Sequence, residues 1–232
     1  AELEQALRAS VGPAAWPGMN TMGAPRVLPL PDGLSPVKAI PSERPERRAF
    51  IKHCCDILIS AEAELNALDA KSGDGDTGST LAVAARALIN ALDDLPLADM
   101  TQLYRAIGTE LSQTMGGSSG VLLAIFFTAA GDASASGEDV VGALSSGMQR
   151  IQQVGGASIG DRTMIDALAP ALAAMPEGLQ AASVAARKGA DHTAQIVHAK
   201  AGRATYISPD KLLGQNDPGA EAVALLLEKL VG

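Results

Sequence analysis

Asp69, Asp74 and Asp76 fall within one stretch, Asp69-Ala70-Lys71-Ser72-Gly73-Asp74-Gly75-Asp76, and Thr77-Gly78-Ser79-Thr80 follows directly. Glycines beside the carboxylates let the backbone turn tightly and leave the oxygens unshielded. Crowded negative charges repel, and no cation in the sequence stands nearer than Lys71. A hard divalent cation resolves that repulsion, because carboxylate oxygens are what Mg²⁺ and Ca²⁺ prefer. An EF-hand is excluded by spacing. Counted from Asp74, the fifth position is Gly78 and the twelfth is Ala85, where a bidentate Glu is required. A plainer reading makes Asp69 a helix end and Asp74 and Asp76 turn and N-cap residues. Capping needs one aspartate rather than three, so the expectation is a Mg²⁺ site with positions open for phosphate oxygens.

Three further glycine-bearing segments could face such a ligand. Met115-Gly116-Gly117-Ser118-Ser119-Gly120 precedes an apolar helix, and small residues there expose backbone N–H groups at a helix start. The hydroxyls of Ser118 and Ser119 add donors. Gly155-Gly156-Ala157-Ser158-Ile159-Gly160-Asp161-Arg162-Thr163-Met164 is long for a helix–helix connection, although Gly160-Asp161 alone would read as a break and an N-cap. In Ala201-Gly202-Arg203-Ala204-Thr205-Tyr206, the Arg203 fork suits a phosphate and equally suits a surface carboxylate. Neither a Walker-type run nor a Gly-x-Gly-x-x-Gly turn between strand and helix is present.

The elements that must hold these segments read as helices. Hydrophobic periodicity predicts amphipathic helices over 46–69, 78–94, 99–115, 119–131, 137–154, 161–174, 177–200 and 218–231. Asp217-Pro218 places a capping residue before a proline at the first helical position, Ser208-Pro209 repeats the pattern, and Glu138-Asp139 puts acid in a first turn. No period-two alternation appears. The fold class is all-α, a bundle or barrel of antiparallel helices. Hydrophobic residues make up 47% of the chain and aromatics only 3%, so Ala and Leu must build a closely packed core. Residues 12–45 carry more than half of the 13 prolines, so residues 1–45 are expected to be an extended arm, with Leu3 to Ser10 a possible helix end, before a helical domain over 46–232.

Composition also bounds the partners. A formal net charge of −8 argues against nucleic acid. The longest apolar run, Val121 to Ala130, is about half a membrane span and reads as a buried helix. The first residues are acidic and polar rather than a secretory leader, and adjacent Cys54 and Cys55 read as reduced buried thiols, so a cytoplasmic protein without a membrane partner is expected. His53, His192 and His198 read as structural or solvated.

Taken in order, Leu65 to Gly78, Met115 to Gly120, Gly160-Asp161-Arg162-Thr163-Met164 and Gly202-Arg203-Ala204 resemble the nucleotide-binding L domain of dihydroxyacetone kinases, over about residues 46–231. The resemblance implies a barrel of eight antiparallel helices with the nucleotide across one rim. It implies that Asp69, Asp74 and Asp76 hold two Mg²⁺ ions that bridge the phosphates of ATP. Thr77, Gly78, Ser79 and Thr80, with Gly117, Ser118 and Ser119, would cradle those phosphates. Gly155, Thr163 and Met164 would line the adenine side, and Arg203 with the Asp217-Pro218-Gly219 turn would complete the rim.

The family has an ATP-using form fused to a substrate domain, and a separate subunit that holds ADP and is recharged by a phosphotransfer protein. The separate subunit usually has His after the Gly-Asp-Gly-Asp run. Thr77 resembles the ATP form, and Gly12 to Gly18 is similar to the tail of the substrate domain. The ketose site and the general base are therefore expected on a dihydroxyacetone-binding domain or subunit outside these residues, with a homodimer possible. The rival readings are the ADP-holding subunit, a fatty-acid kinase domain, and a helical scaffold without catalysis whose aspartates only cap turns.

Overall fold

A computed structural model of the chain describes residues 39–232. The helices are α1 (Pro45–Ser60), α2 (Glu62–Asp69), α3 (Thr77–Ala91), α4 (Met100–Thr114), α5 (Gly117–Ala135), α6 (Val140–Gly155), α7 (Ile165–Ala174), α8 (Leu179–Thr193), α9 (Pro209–Leu212) and α10 (Pro218–Val231). Short 3₁₀ turns occupy Met175–Glu177 and Arg203–Tyr206. Among the described residues there is no strand, only an isolated bridge between Ser42 and Pro96. With α1 and α2 counted as one leg and the one-turn α9 set aside, eight legs alternate in direction. Each leg packs on the next, and α10 returns to α1 and α2, closing the ring. The expected all-α barrel of eight antiparallel helices is what forms.

Alternation puts four connections at one end of the ring and three at the other. The loops 70–76, 115–116 and 156–164 and the long segment 194–217 share one rim. The opposite end holds the chain entry and the turns 92–99, 136–139 and 175–178. That opposite end is tightly tied. Ser42 N–H donates to Leu95 O and Leu97 N–H to Ser42 O, while Arg47 donates to Leu97 O at 2.7 Å. Arg48 bridges Glu43 and Asp93. The last residues of the expected proline-rich arm are thus part of the helical domain, and residues 1–38, with the possible helix end at Leu3 to Ser10, lie outside the described residues.

The core is built from Leu and Ala as the composition requires. Leu92, Leu95, Leu97, Leu103, Ile107 and Leu111 cluster beneath α3 and α4. On the far side Ala182, Ala186 and Ala190 line one stripe of α8 and meet Ala167 and Ala171 of α7 and Ala220 and Ala224 of α10. Four-residue spacing stacks these methyl groups on one face, and their size lets the three helices approach closely. A Cβ added at Gly189 would collide with the Asp166 carbonyl, a measure of that closeness.

Four element boundaries differ from the sequence reading, each for a local reason. The helix over 46–69 breaks at Ala61, beside Ser60, whose Oγ donates back to Ile57 O and bends the turn. The helix placed at 161–174 starts at Ile165, because Asp166 gathers the preceding residues into a loop. The helix placed at 177–200 stops at Thr193. At 137–139 the acid caps rather than joins the first turn, since Asp139 accepts from Gly142 N–H at 2.8 Å. Asp217 caps α10 as expected by accepting from Ala220 N–H, whereas Ser208 makes no side-chain cap to α9.

The stretch read as a buried helix also needs correction. Helix α5 runs 19 residues, is apolar all round, and by length and composition could cross a membrane. Only 22% of its apolar window is buried, and Val121 is exposed. It packs on α4 and α6 through small contacts: a Cβ at Gly108 would press on Thr128 and Ala124, and one at Gly147 on Phe126. Cys55 is buried and Cys54 half-buried, and desolvation pushes their thiols up to about 12 and about 11, so both stay protonated.

Candidate nucleotide and metal site

Asp69 closes α2 and faces back into the loop that follows. Its Oδ2 accepts from the N–H groups of Asp76 (2.9 Å) and Thr77 (3.0 Å) and from the Thr77 hydroxyl (3.0 Å). These are the orphan donors at the start of α3, so Asp69 does the capping that the plainer reading gave to Asp76. Asp76 occupies the N-cap position and makes no side-chain cap bond. Its carboxylate points instead toward Asp69 and Asp74, with one oxygen from each of the three within 4.8 Å of the others. Desolvation first, and then the charge of Asp74, holds the Asp76 carboxyl above its ordinary range. Gly75 sits at φ +80°, and an added Cβ at Gly73 would strike Asp69, so both glycines are required by the turn.

One cation reaches this cluster that sequence proximity did not indicate. Arg203 extends across the rim and pairs with Asp74. Of the two roles its fork suited, the carboxylate partner is the one present. A guanidinium against the exposed edge of a three-carboxylate cluster marks a place where positive charge is stable, which fits a hard divalent ion held by Asp69, Asp74 and Asp76.

The residues expected to cradle phosphates divide. Gly78 packs on the α1–α2 leg, where a Cβ would collide with the Glu62 carbonyl. Ser79 is engaged on both sides: its N–H donates to Asn66 Oδ1 and its hydroxyl donates to Glu62. The Thr77 hydroxyl is held by Asp69. Asn66 is therefore a supporting residue that sequence reasoning missed, although its position three before Asp69 placed it on the same helix end. Ser118 and Ser119, by contrast, are exposed in the first turn of α5, after Gly116, with no side-chain cap. Gly116 and Gly117 have no atom within 4 Å of an added Cβ, and Gly117 adopts φ +71°. That helix start presents amides and hydroxyls to open space.

The residues expected to line the adenine side lie near one another. An added Cβ at Gly155 would touch Leu122, and one at Gly219 would touch Met164 at 3.3 Å. Leu122 and Met164 share an apolar cluster with Phe126, Ile151 and Ile165. Thr163 lies in the loop, its N–H donating to Asp166 Oδ2 at 2.8 Å and its hydroxyl accepting from Ile165 N–H at 3.2 Å. Asp166 also accepts from Gly160 N–H, and Asp161 from Ser158 N–H, so Asp161 folds the loop and caps no helix. Asp217 and Pro218 start α10 beside this corner; Asp217 is buried, and desolvation raises its carboxyl from an ordinary 3.8 to about 7.

Residues 194–217 span the rim between the two halves of the site. Lys200 N–H donates to Asp161 O, Arg203 meets Asp74, and Gly214 N–H returns to Ala194 O at 2.8 Å. This strap therefore touches both the three-aspartate loop and the 156–164 loop.

Comparison with known proteins gives one pattern. Residues 71–232 match the DAK2 domain. A dihydroxyacetone kinase of Citrobacter freundii is 44% identical over 98% of this chain and 42% of its own length, and the human triokinase/FMN cyclase is 34% identical over 94% and 41%. The crystal structure of the C. freundii dihydroxyacetone kinase in complex with AMP-PNP and Mg²⁺ superposes with a TM-score of 0.75 at 42% identity, covering 90% of this chain and 37% of that one. Its native form gives 0.77 over 99% of this chain. The chain spans about two fifths of the length of these relatives.

Proposed function

The chain belongs to the DAK2 domain family, and from that premise we propose that it is the nucleotide-binding domain of an ATP-dependent dihydroxyacetone kinase. Asp69, Asp74 and Asp76 hold Mg²⁺, two ions in this reading, and the metal neutralises the phosphate chain and polarises the terminal phosphoryl group when bound. The amides and hydroxyls of Ser118 and Ser119 steady the phosphate oxygens as charge shifts during transfer. Thr80 and the Gly117 amide complete the phosphate cradle in this reading. Gly155, Thr163 and Met164, with Pro218 and Gly219, receive the adenine, and Arg203 leaves Asp74 to meet phosphate. The phosphoryl group passes to a small ketose held on a substrate domain or subunit, which also supplies the base for its hydroxyl. A cytoplasmic setting belongs to the same reading.

The observation that carries this is the Asp76 carboxylate: it stands at a helix N-cap, leaves capping to Asp69, and turns toward two other carboxylates. A scaffold whose aspartates only cap turns would not be built so. Thr77, standing where the ADP-holding subunit usually has His, favours ATP use. Calorimetric titration with Mg·ATP, with and without EDTA, is the test: Mg²⁺-dependent binding that vanishes in D74N and D76N is expected, and metal-independent or absent binding rejects the proposal. Nucleotide that co-purifies as ADP and resists exchange would favour the subunit form instead.

A further inference from the structure

Arg162 is 1% exposed and is among the largest fully buried side chains of the described residues. Its backbone adopts φ +63°, the only positive φ at a non-glycine residue among those described. That conformation costs an ordinary side chain on the order of 1 kcal/mol. Its Nη1 donates to two carbonyls, Thr193 O at 2.6 Å and Gln215 O at 2.8 Å, while Nε and Nη2 have no hydrogen-bond partner. A buried cation with two unsatisfied nitrogens is a poor way to stabilise a core, and a well-packed apolar residue would serve stability as well or better.

What the fork does is visible in what it joins. Thr193 is the last residue of α8 and Gln215 lies two residues before the cap of α10, so the two carbonyls are the two roots of the 194–217 strap. A second tie reinforces them, since Asp217 N–H donates to the Thr193 hydroxyl at 2.7 Å. Arg162 itself belongs to the adenine-side loop, whose Asp161 carbonyl accepts from Lys200 N–H in the middle of the strap. The far tip of that strap carries Arg203 to the metal loop. Burial loosens the guanidinium's hold on its proton, and the nearby carboxyls of Asp217 and Asp166 oppose that effect.

We propose that Arg162 is a positioning residue that clamps both roots of the strap to the adenine-side loop and thereby holds Arg203 over the metal-binding aspartates. The inference rests on the nucleotide-binding reading above. It assigns the strained, buried arginine to nucleotide retention through Arg203 rather than to core stability. A lysine keeps the charge beside Asp166 and Asp217, but its ammonium lies one bond nearer the backbone than the Nη1 that bonds both carbonyls, so R162K separates clamping from charge balance.

The test combines amide hydrogen exchange on the nucleotide-free protein with a double-mutant cycle in Mg·ATP dissociation rate. In R162K, exchange at residues 203–206 and at Gly214 is expected to quicken while exchange in α4 and α5 is unchanged. R203A should speed nucleotide release by roughly tenfold in the wild type and by less than about threefold in R162K, because coupled residues are not additive. T193V, which removes the second tie while keeping the side-chain shape, should behave like R162K, and T193S should behave like the wild type. T193V decides the matter if R162K lacks a cooperative melt. Unchanged exchange in the strap, or additive effects of R162K or T193V with R203A, overturns the proposal. Failure of the wild type to bind Mg·ATP would overturn the functional reading instead, and strap exchange would then decide the clamp on its own.

Discussion

Two loops on the same rim carry aspartates, and they use them in opposite ways. Between α6 and α7, Asp161 accepts the Ser158 amide and Asp166 accepts those of Gly160 and Thr163, so these carboxylates are bound up in holding a nine-residue loop in shape. Between α2 and α3, Asp69 alone takes the amides, and Asp74 and Asp76 are left facing it across less than 5 Å. Backbone amides satisfy one set, and in the other Asp74 and Asp76 lack comparable partners apart from the exposed side chain of Arg203. A cluster of acids marks a cation site when the local backbone does not need it.

The sharpest way to break that contrast is to exchange its consequences. Asp166→Ala removes two amide-to-carboxylate bonds from a buried position, each worth about 1.5–3 kcal/mol. Thermal or denaturant unfolding should show a loss of about 3–6 kcal/mol. Asp74→Asn and Asp76→Asn should leave stability within about 0.5 kcal/mol of the wild type, as expected for exposed positions, while abolishing most Mg·ATP binding. A large stability loss in the Asp76 variant, or a wild-type melt in the Asp166 variant, would erase the distinction between the two loops.

How far the sequence foretold this differs between the loops for a physical reason. The three-aspartate loop was legible as a carboxylate cluster because its acids and its required glycines are contiguous, and Gly73 and Gly75 are needed by the turn they sit in. The adenine-side loop was not, because its organiser, Asp166, sits inside the following helix and its clamp, Arg162, acts on carbonyls 31 and 53 residues away. The same distance hid the pairing of Arg203 with Asp74, 129 residues apart. Thr77 and Ser79, which the resemblance placed at the phosphates, have hydroxyls engaged by Asp69 and Glu62, from eight or more residues away. Helix identity was legible because periodicity and alanine content accumulate over many residues, whereas helix ends were set by single side chains such as Ser60, Asp139 and Asp166.

Asp217 sharpens the contrast by pH. It caps α10 as a buried acid whose carboxyl is raised to about 7 by desolvation, against an ordinary 3.8. A carboxyl that holds its proton more tightly when folded stabilises fully below about pH 4 and loses that stabilisation as pH rises through about 7. The neighbouring charges of Arg162 and Asp166 act on it in opposite senses. Unfolding free energy should therefore decline between about pH 4 and pH 7 by up to about 1.4 kcal/mol per unit. Asp217→Asn, which retains a cap acceptor, should flatten that decline. An equal slope in both proteins would show that the buried carboxyl does not titrate in this window.

The smallest expected effect falls on the element without acids, the start of α5. Ser118 and Ser119 offer hydroxyls beside helix-start amides, and the amides remain whatever the side chain is. Replacing both with alanine deletes only the neutral donors, while the helix dipole and the Gly117 turn persist. Mg·ATP affinity or the transfer rate, measured with an added substrate domain, should fall by at least roughly tenfold, equivalent to about 1.4 kcal/mol. Because the serines are exposed and cap nothing, the melting curve should not move. A shifted melt with unchanged affinity would make these serines part of the fold, and the open helix start would lose its claim on phosphate. Tenfold weaker binding with an unchanged melt would make it the ligand-facing counterpart of the free aspartates across the rim.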